Sequence, residues 1–233
     1  MDLPRPATAA SVILATAAVP ARLLLQRRRR RQRPAPLPGS VGEHVLQARY
    51  GSAGRAGSFY QRQVLGHLNQ RMMQFIGRQE LLFVGTADAA GECDCSIRCG
   101  PPGFVHVLDD RTLRYPEYRG NGVMASLGNL QENAHVGLLF VDFQTSLIGL
   151  HVNGTARILD SPVRPGPSAS GEAPRAERWV EVDVEEAYIH CAKHLPHMVK
   201  VPRKRAWGTD DVKRKGGDFF EAACETRPWS DPA

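Results

Sequence analysis

Apolar and polar positions change period along this chain. Between Glu43 and Arg49, and again between Tyr60 and Gly77, apolar residues recur at helical spacing. Val64, Leu65, Leu68, Met72, Phe75 and Ile76 fall on one broad face of such a helix. From Leu81 onward the runs become short and lie between turn-forming clusters. Leu81 to Thr86 reads as a strand entering the turn Ala-Asp-Ala-Ala-Gly, with Cys95 to Arg98 as its hairpin partner. Gly100-Pro101-Pro102-Gly103 closes a second turn, and Phe104 to Leu108 pairs with Thr112 to Tyr115 around Asp109-Asp110-Arg111. Val136 to Phe143, Leu147 to Leu159 and Trp179 to Val184 supply further strands, and Ser161 to Arg178 is a Pro-, Ser- and Gly-rich loop. After Glu185 the segment EAYIHCAKHL is expected to be helical and to stop at Pro196. Most connections are too short for the crossovers that parallel strands need, so the sheet is expected to be antiparallel and wrapped into a small closed barrel.

Composition changes this picture mainly at the ends. The formal charge of +6 suggests nucleic-acid binding until it is located, because residues 1–40 hold eight Arg and one Asp and the rest of the chain is close to neutral. The basic pI therefore describes an appendage, and no nucleic-acid partner is expected. That appendage carries an apolar stretch from Ala7 to Leu25, interrupted by Pro20 and Arg22 and followed by Arg27 to Arg31. Its charge follows the apolar run, opposite to an export signal, and its length falls short of a membrane span of about 20 residues. We expect 1–40 to be a disordered Arg-rich extension, with membrane contact a lesser alternative, and 41–233 to be one domain. Five cysteines make no disulfide framework, which fits a reducing, cytoplasmic setting. Cys93, Cys95 and Cys99 share one strand face and are expected to be small buried thiols, since C-x-C-x3-C lacks a second ligand pair. For the same reason His190, Cys191, His194 and His197 are not read as a metal site.

Candidate chemistry concentrates between Asp109 and Phe143, where a strand, a polar glycine-bearing loop, a short helix and a very apolar strand follow one another. Arg119 supplies a charge, Gly120 and Gly122 allow close backbone approach, and Asn121, Ser126 and Asn129 supply short polar groups near the start of a helix. Helix N-termini carry unpaired N–H groups and a partial positive charge, so this loop suits an anionic ligand such as a phosphate. A role for Ser126 as a helix cap is the plain alternative.

The blocks LLFVGTADAAG, CSIRCGPPGFVHVLDDRTL, GNGVMASLGNLQENAHVGLLF, HVNGTARIL and EEAYIHCAKHL occur in an order that resembles the pyridoxamine 5'-phosphate oxidase-like family of FMN-binding split barrels, over roughly Glu43 to Trp207. The resemblance implies a mainly β (α+β) fold, an antiparallel split β-barrel with flanking helices. It also implies a homodimer with the cofactor at the interface. Carried onto matching positions, it places Ser96 and Arg98 on one cofactor-facing strand and Arg119, Asn121, Ser126 and Asn129 around the phosphate. Tyr115 and Pro116 stand where the founding enzyme has a flavin-contacting pair. Trp207 either stacks on a ring or covers the core.

The chain also departs from the founding enzyme. An Arg-Lys pair at the phosphate helix is replaced by Ala125-Ser126, and the C-terminal Arg-x-His motif for a pyridoxal substrate has no counterpart in ETRPWSDPA. His151 replaces an Arg common before VNG in close relatives. The resemblance implies an FMN-dependent oxidoreductase of unknown small substrate, and the missing motif removes the best reason to expect vitamin B6 chemistry. A flavin carrier or sensor without turnover, and a haem- or deazaflavin-binding barrel, are the alternatives. Haem would need an axial ligand, for which His151 and His194 are candidates. No catalytic residue is assigned.

Overall fold

A computed structural model of the chain describes residues 37–160, 176–203, 205–206, 209–227 and 229. By its internal packing the chain divides into Met1–Tyr60 and Gln61–Ala233. In the first unit, helix α1 (Val41–Arg49) starts at a capping box. The Ser40 hydroxyl accepts from the Glu43 N–H, and the Glu43 carboxylate accepts from the Ser40 N–H. Helix α2 (Ala53–Gln63) follows, and its Tyr60 hydroxyl accepts from the Gln47 amide at 2.6 Å.

The helix expected from Tyr60 to Gly77 is broken. Helix α2 ends at Gln63 and α3 (Gln70–Ile76) starts at an Asn69 cap. Between them Leu65 pairs through its backbone with Ala187, and the Leu68 N–H donates to the Asp110 carbonyl at 2.7 Å. Long-range backbone bonding here outweighs the local helical period. Leu68 and Ile76 are still fully buried, because extended and helical backbones alike can turn these side chains inward.

Seven antiparallel strands form one sheet: β1 (Leu81–Ala87), β2 (Cys93–Cys99), β3 (His106–Val107), β4 (Thr112–Glu117), β5 (His135–Val141), β6 (Gly149–Leu159) and β7 (Arg178–His190). Their order is β2-β1-β5-β6-β7-β4-β3. No ladder joins the β2 and β3 ends among the described residues, so the barrel is split and not closed. Helix α4 (Ala125–Glu132) connects β4 to β5. Strand β1 alternates inward Leu82, Val84 and Thr86 with half-buried neighbours, and Leu138, Phe140, Val152, Val180 and Val182 complete the core. Such alternation is how a strand places one face in an apolar interior.

The EAYIHCAKHL segment is not a helix. Strand β7 runs through it to His190, with His151 opposite Tyr188 and Gly149 opposite His190, and only a single 3-10 turn, Ala192–His194, follows. A bulge at Asn153/Gly154 shifts the register of this long pair, from Asn153 opposite Glu186 to Gly154 opposite Val184. Gly154 is required there, since a Cβ would lie 2.1 Å from the Asp183 carbonyl oxygen. Of the Ser161–Arg178 loop, residues 161–175 lie outside the described ones, as do residues 1–36 of the N-terminal extension and Trp207. Among the described residues no helix is long and apolar enough to cross a membrane.

Candidate functional site

Strand β2 is an edge strand, and that inverts its pattern. Its pairing sets Arg98 opposite Leu82, Ser96 opposite Val84 and Asp94 opposite Thr86, so the even, polar residues share the core-facing side of β1. The odd residues point the other way. Cys93 and Cys95 are exposed and Cys99 half-buried, so the expectation of buried thiols fails. The inward face is polar because it lines a cleft and not the packed interior.

That cleft has a volume of about 1560 Å³ and lies between β2, the β4–α4 loop and the C-terminal segment. Among the described residues seven cationic side chains line it, Arg98, Arg119, Arg178, Arg203, Arg205, Arg214 and Lys215, against four acidic ones, Asp94, Glu117, Glu177 and Asp210. A cleft with this excess attracts anions.

Two hydrogen bonds seat α4 over the sheet. The Ser126 hydroxyl donates to Asp94 Oδ2 at 2.8 Å, and the Asn129 amide donates to Thr86 Oγ1 at 3.1 Å. Ser126 therefore does not cap its helix. The cap position belongs to Met124, whose backbone is left-handed and whose side chain makes no capping bond. The first turn of α4 consequently retains backbone N–H groups free for a ligand. Gly122, at φ +85, bends the loop ahead of it. Asn121 Oδ1 accepts from the Val123 N–H at 3.0 Å, which leaves the Asn121 amide as a donor.

Arg98 crosses the split of the barrel. Its Nε donates to Glu117 Oε1 at 2.8 Å and its Nη1 donates to Ser96 Oγ at 2.9 Å. With side chains 16% and 12% exposed, Arg98 and Glu117 form a largely desolvated pair between strands that no ladder connects. Burial pushes the Glu117 carboxyl up, while Arg98 and, more weakly, Arg178 oppose that shift. Tyr118 also lines the cleft, and burial pushes its phenol up to about 12. Arg119 is more open and pairs with Asp210 at 2.7 Å.

Of the sequence-derived candidates, the cleft gathers Ser96, Arg98, Arg119, Asn121 and Ser126. Asn129 stands one turn behind, tied to Thr86. Tyr115 and Pro116 are not brought to the cleft lining; both are fully buried, and Glu117 and Tyr118 take the positions that face it. The Tyr115 hydroxyl has no hydrogen-bond partner among the described residues, and burial drives its pKa far up. His151 lies away from the cleft, stacked on Tyr188 with centroids 4.7 Å apart and 3.2 Å from the His190 ring nitrogen. Burial and then His190 lower its pKa. His194 is exposed in its 3-10 turn. No group of three or more metal-ligating side chains occurs among the described residues.

Sequence reasoning missed the acidic partners and the C-terminal cations. Arg205 donates to the Gly100 carbonyl at 3.1 Å and, with Lys200, pairs with Glu80, which holds this segment against the end of β2. The basic run KVPRKRAW was the available signal, but its destination depends on tertiary contacts.

No curated protein matches the chain. Among solved structures it is similar to HupZ of Group A Streptococcus, at 24% identity over 57% of this chain and 99% of that one, with a TM-score of 0.40. It is also similar to a Clostridium acetobutylicum protein related to general stress protein 26, of the pyridoxinephosphate oxidase family, at 16% identity over 54% and 87%, TM-score 0.38. HutZ, the haem storage protein from Vibrio cholerae, is similar at 13% identity over 53% and 93%, TM-score 0.36. At TM-scores of this size these likenesses carry no argument. The family model described as pyridoxamine 5'-phosphate oxidase matches residues 68–191, over half of the chain and all seven strands through β7. The chain belongs to the pyridoxamine 5'-phosphate oxidase family.

Proposed function

We propose that this protein is an FMN-binding oxidoreductase, acting on a small substrate as a homodimer with the flavin at the interface, in the reducing environment of the cytoplasm. The observation that carries the reading is the cationic cleft, in which Ser96 and Arg98 of β2 meet Arg119, Asn121 and the open first turn of α4. A mononucleotide needs cations or N–H groups for its phosphate, polar groups for its ribityl chain and an apolar wall for its ring. The cleft has all three.

The donor set divides the labour. Ser126 directs its one proton at Asp94, so it cannot donate to a phosphate without releasing that carboxylate. Asp94 and Ser126 instead suit the hydroxyls of the ribityl chain, which donate as well as accept. The phosphate falls to Arg98, Arg119, the Asn121 amide and the N–H groups of the first α4 turn, with Asn129 holding that helix in place. Bound flavin supplies hydride or single-electron transfer. The chain's own residues position the ring and screen it from water.

One observation favours a second reading, a flavin carrier without turnover. Every acid lining the cleft among the described residues is engaged: Glu117 with Arg98, Asp210 with Arg119, Glu177 with Arg178, and Asp94 with Ser126. None of these acids is left unpaired to move a proton.

Titration of the purified protein with FMN, followed by flavin absorbance near 450 nm, tests the proposal. Saturable binding, reduction by a nicotinamide donor and reoxidation by air support the enzyme, and bound but inert flavin supports the carrier. Absence of FMN binding together with a Soret band on haem addition, or with binding of a deazaflavin alone, would overturn both.

A further inference from the structure

We propose that Met124, with Val123, forms the wall against which a planar aromatic ring lies in the cleft, and that the Met124 backbone is held left-handed to present that side chain. This rests on the FMN reading above. Met124 and Val123 are 49% and 72% exposed, and both line the same cleft. Apolar side chains exposed together along a groove mark a ligand or partner surface. Here they border a cationic cavity, which suits a ligand with a charged end and a flat apolar body.

The second observation is what Met124 gives up. At φ 57 and ψ 30 it occupies the left-handed region, which disfavours any residue with a Cβ, and it stands at a cap position without making a capping bond. Glycine would relieve the backbone, and asparagine would relieve it and cap the helix. The loop already uses glycine two residues earlier, where Gly122 sits at φ +85 with open space around the missing Cβ. Met124 packs into no core cluster that would explain the side chain structurally. A flexible thioether suits close contact with an aromatic ring.

The test compares Met124→Gly and Met124→Leu with the parent in the full-length chain, reading flavin-free thermal unfolding, FMN affinity by fluorescence quenching, and the dimer dissociation constant. Met124→Gly is expected to raise the unfolding midpoint by about 2–4 °C while weakening FMN binding at least ~10-fold, the size of burying one such side chain. Met124→Leu, which keeps both the apolar body and the backbone strain, should stay within ~3-fold of the parent. Unchanged FMN affinity in Met124→Gly overturns the inference alone. So does a lowered midpoint, which would make the side chain a structural contact, or a change confined to dimer dissociation, which would make the patch a surface for a second copy. A parent protein that binds no FMN overturns the reading of the cleft and this inference with it.

Discussion

Replacing Arg98 by alanine should damage the fold as well as the cleft, and the damage should depend on pH. The Arg98–Glu117 pair is 2.8 Å long and mostly desolvated, and it spans the gap between two strands that share no backbone bonds. An exposed pair contributes about 0–1 kcal/mol, whereas leaving one partner of a fully buried pair behind costs about 3–5 kcal/mol. At this burial the expected loss near neutral pH is about 2–3 kcal/mol, or roughly 5–10 °C in midpoint. Glu117 already has a raised pKa through burial, and Arg98 is the main group holding it down. Without the guanidinium it rises further. A carboxyl whose folded pKa lies above its unfolded one adds stability while protonated, and that stability is lost as pH climbs from the unfolded value through the folded one. The gap between Arg98→Ala and the parent should thus be widest near pH 7.5 and narrow toward about pH 4.5. Urea unfolding of the flavin-free protein across that range measures it, with Arg98→Ala/Glu117→Gln expected to recover most of the loss. A gap that is independent of pH, or below ~0.5 kcal/mol, would refute the claim that this pair is effectively buried.

Three further outcomes follow from single contacts. Gly154→Ala should cost several kcal/mol, of the order of ~3, because the new Cβ meets the Asp183 carbonyl oxygen at 2.1 Å and the β6–β7 bulge must open; soluble protein with a parental midpoint would show that the strands part easily. Tyr115→Phe removes a buried hydroxyl with no partner among the described residues, so it should leave stability unchanged or raise it by up to about 1 kcal/mol in chemical unfolding; a marked loss would reveal a hidden acceptor. Ser126→Ala should leave helix content unchanged by circular dichroism, since Ser126 does not cap α4, yet weaken FMN about 10-fold by releasing Asp94; helix loss without an affinity change would contradict this.

The strands were legible as short apolar runs bounded by turns, as in β1, marked by the run Leu81 to Thr86, whose inward residues are Leu82, Val84 and Thr86. Period failed where a distant partner decides the backbone. Val64 to Asn69 carries a helical pattern, yet Leu65 is captured by Ala187, and Glu186 to His190 looks helical until β6 pairs with it. Cysteine burial on β2 was misjudged because the strand turns polar residues inward, and a cleft can require that where a core cannot. In the same way Ser96, Arg98, Arg119, Asn121 and Ser126 could be found from local order. Glu117 and the cations from Arg203 to Lys215 could not, since their role depends on contacts across the split and from the end of the chain.

Parallel titrations of the flavin-free protein with FMN and with riboflavin separate the phosphate from the rest of the ligand. If guanidinium groups and helix N–H groups grip the phosphate, FMN binds at least ~10-fold more tightly than riboflavin, and the preference shrinks as salt is raised. Equal affinity for the two, or binding of neither, would contradict a phosphate-gripping flavin site in this cleft.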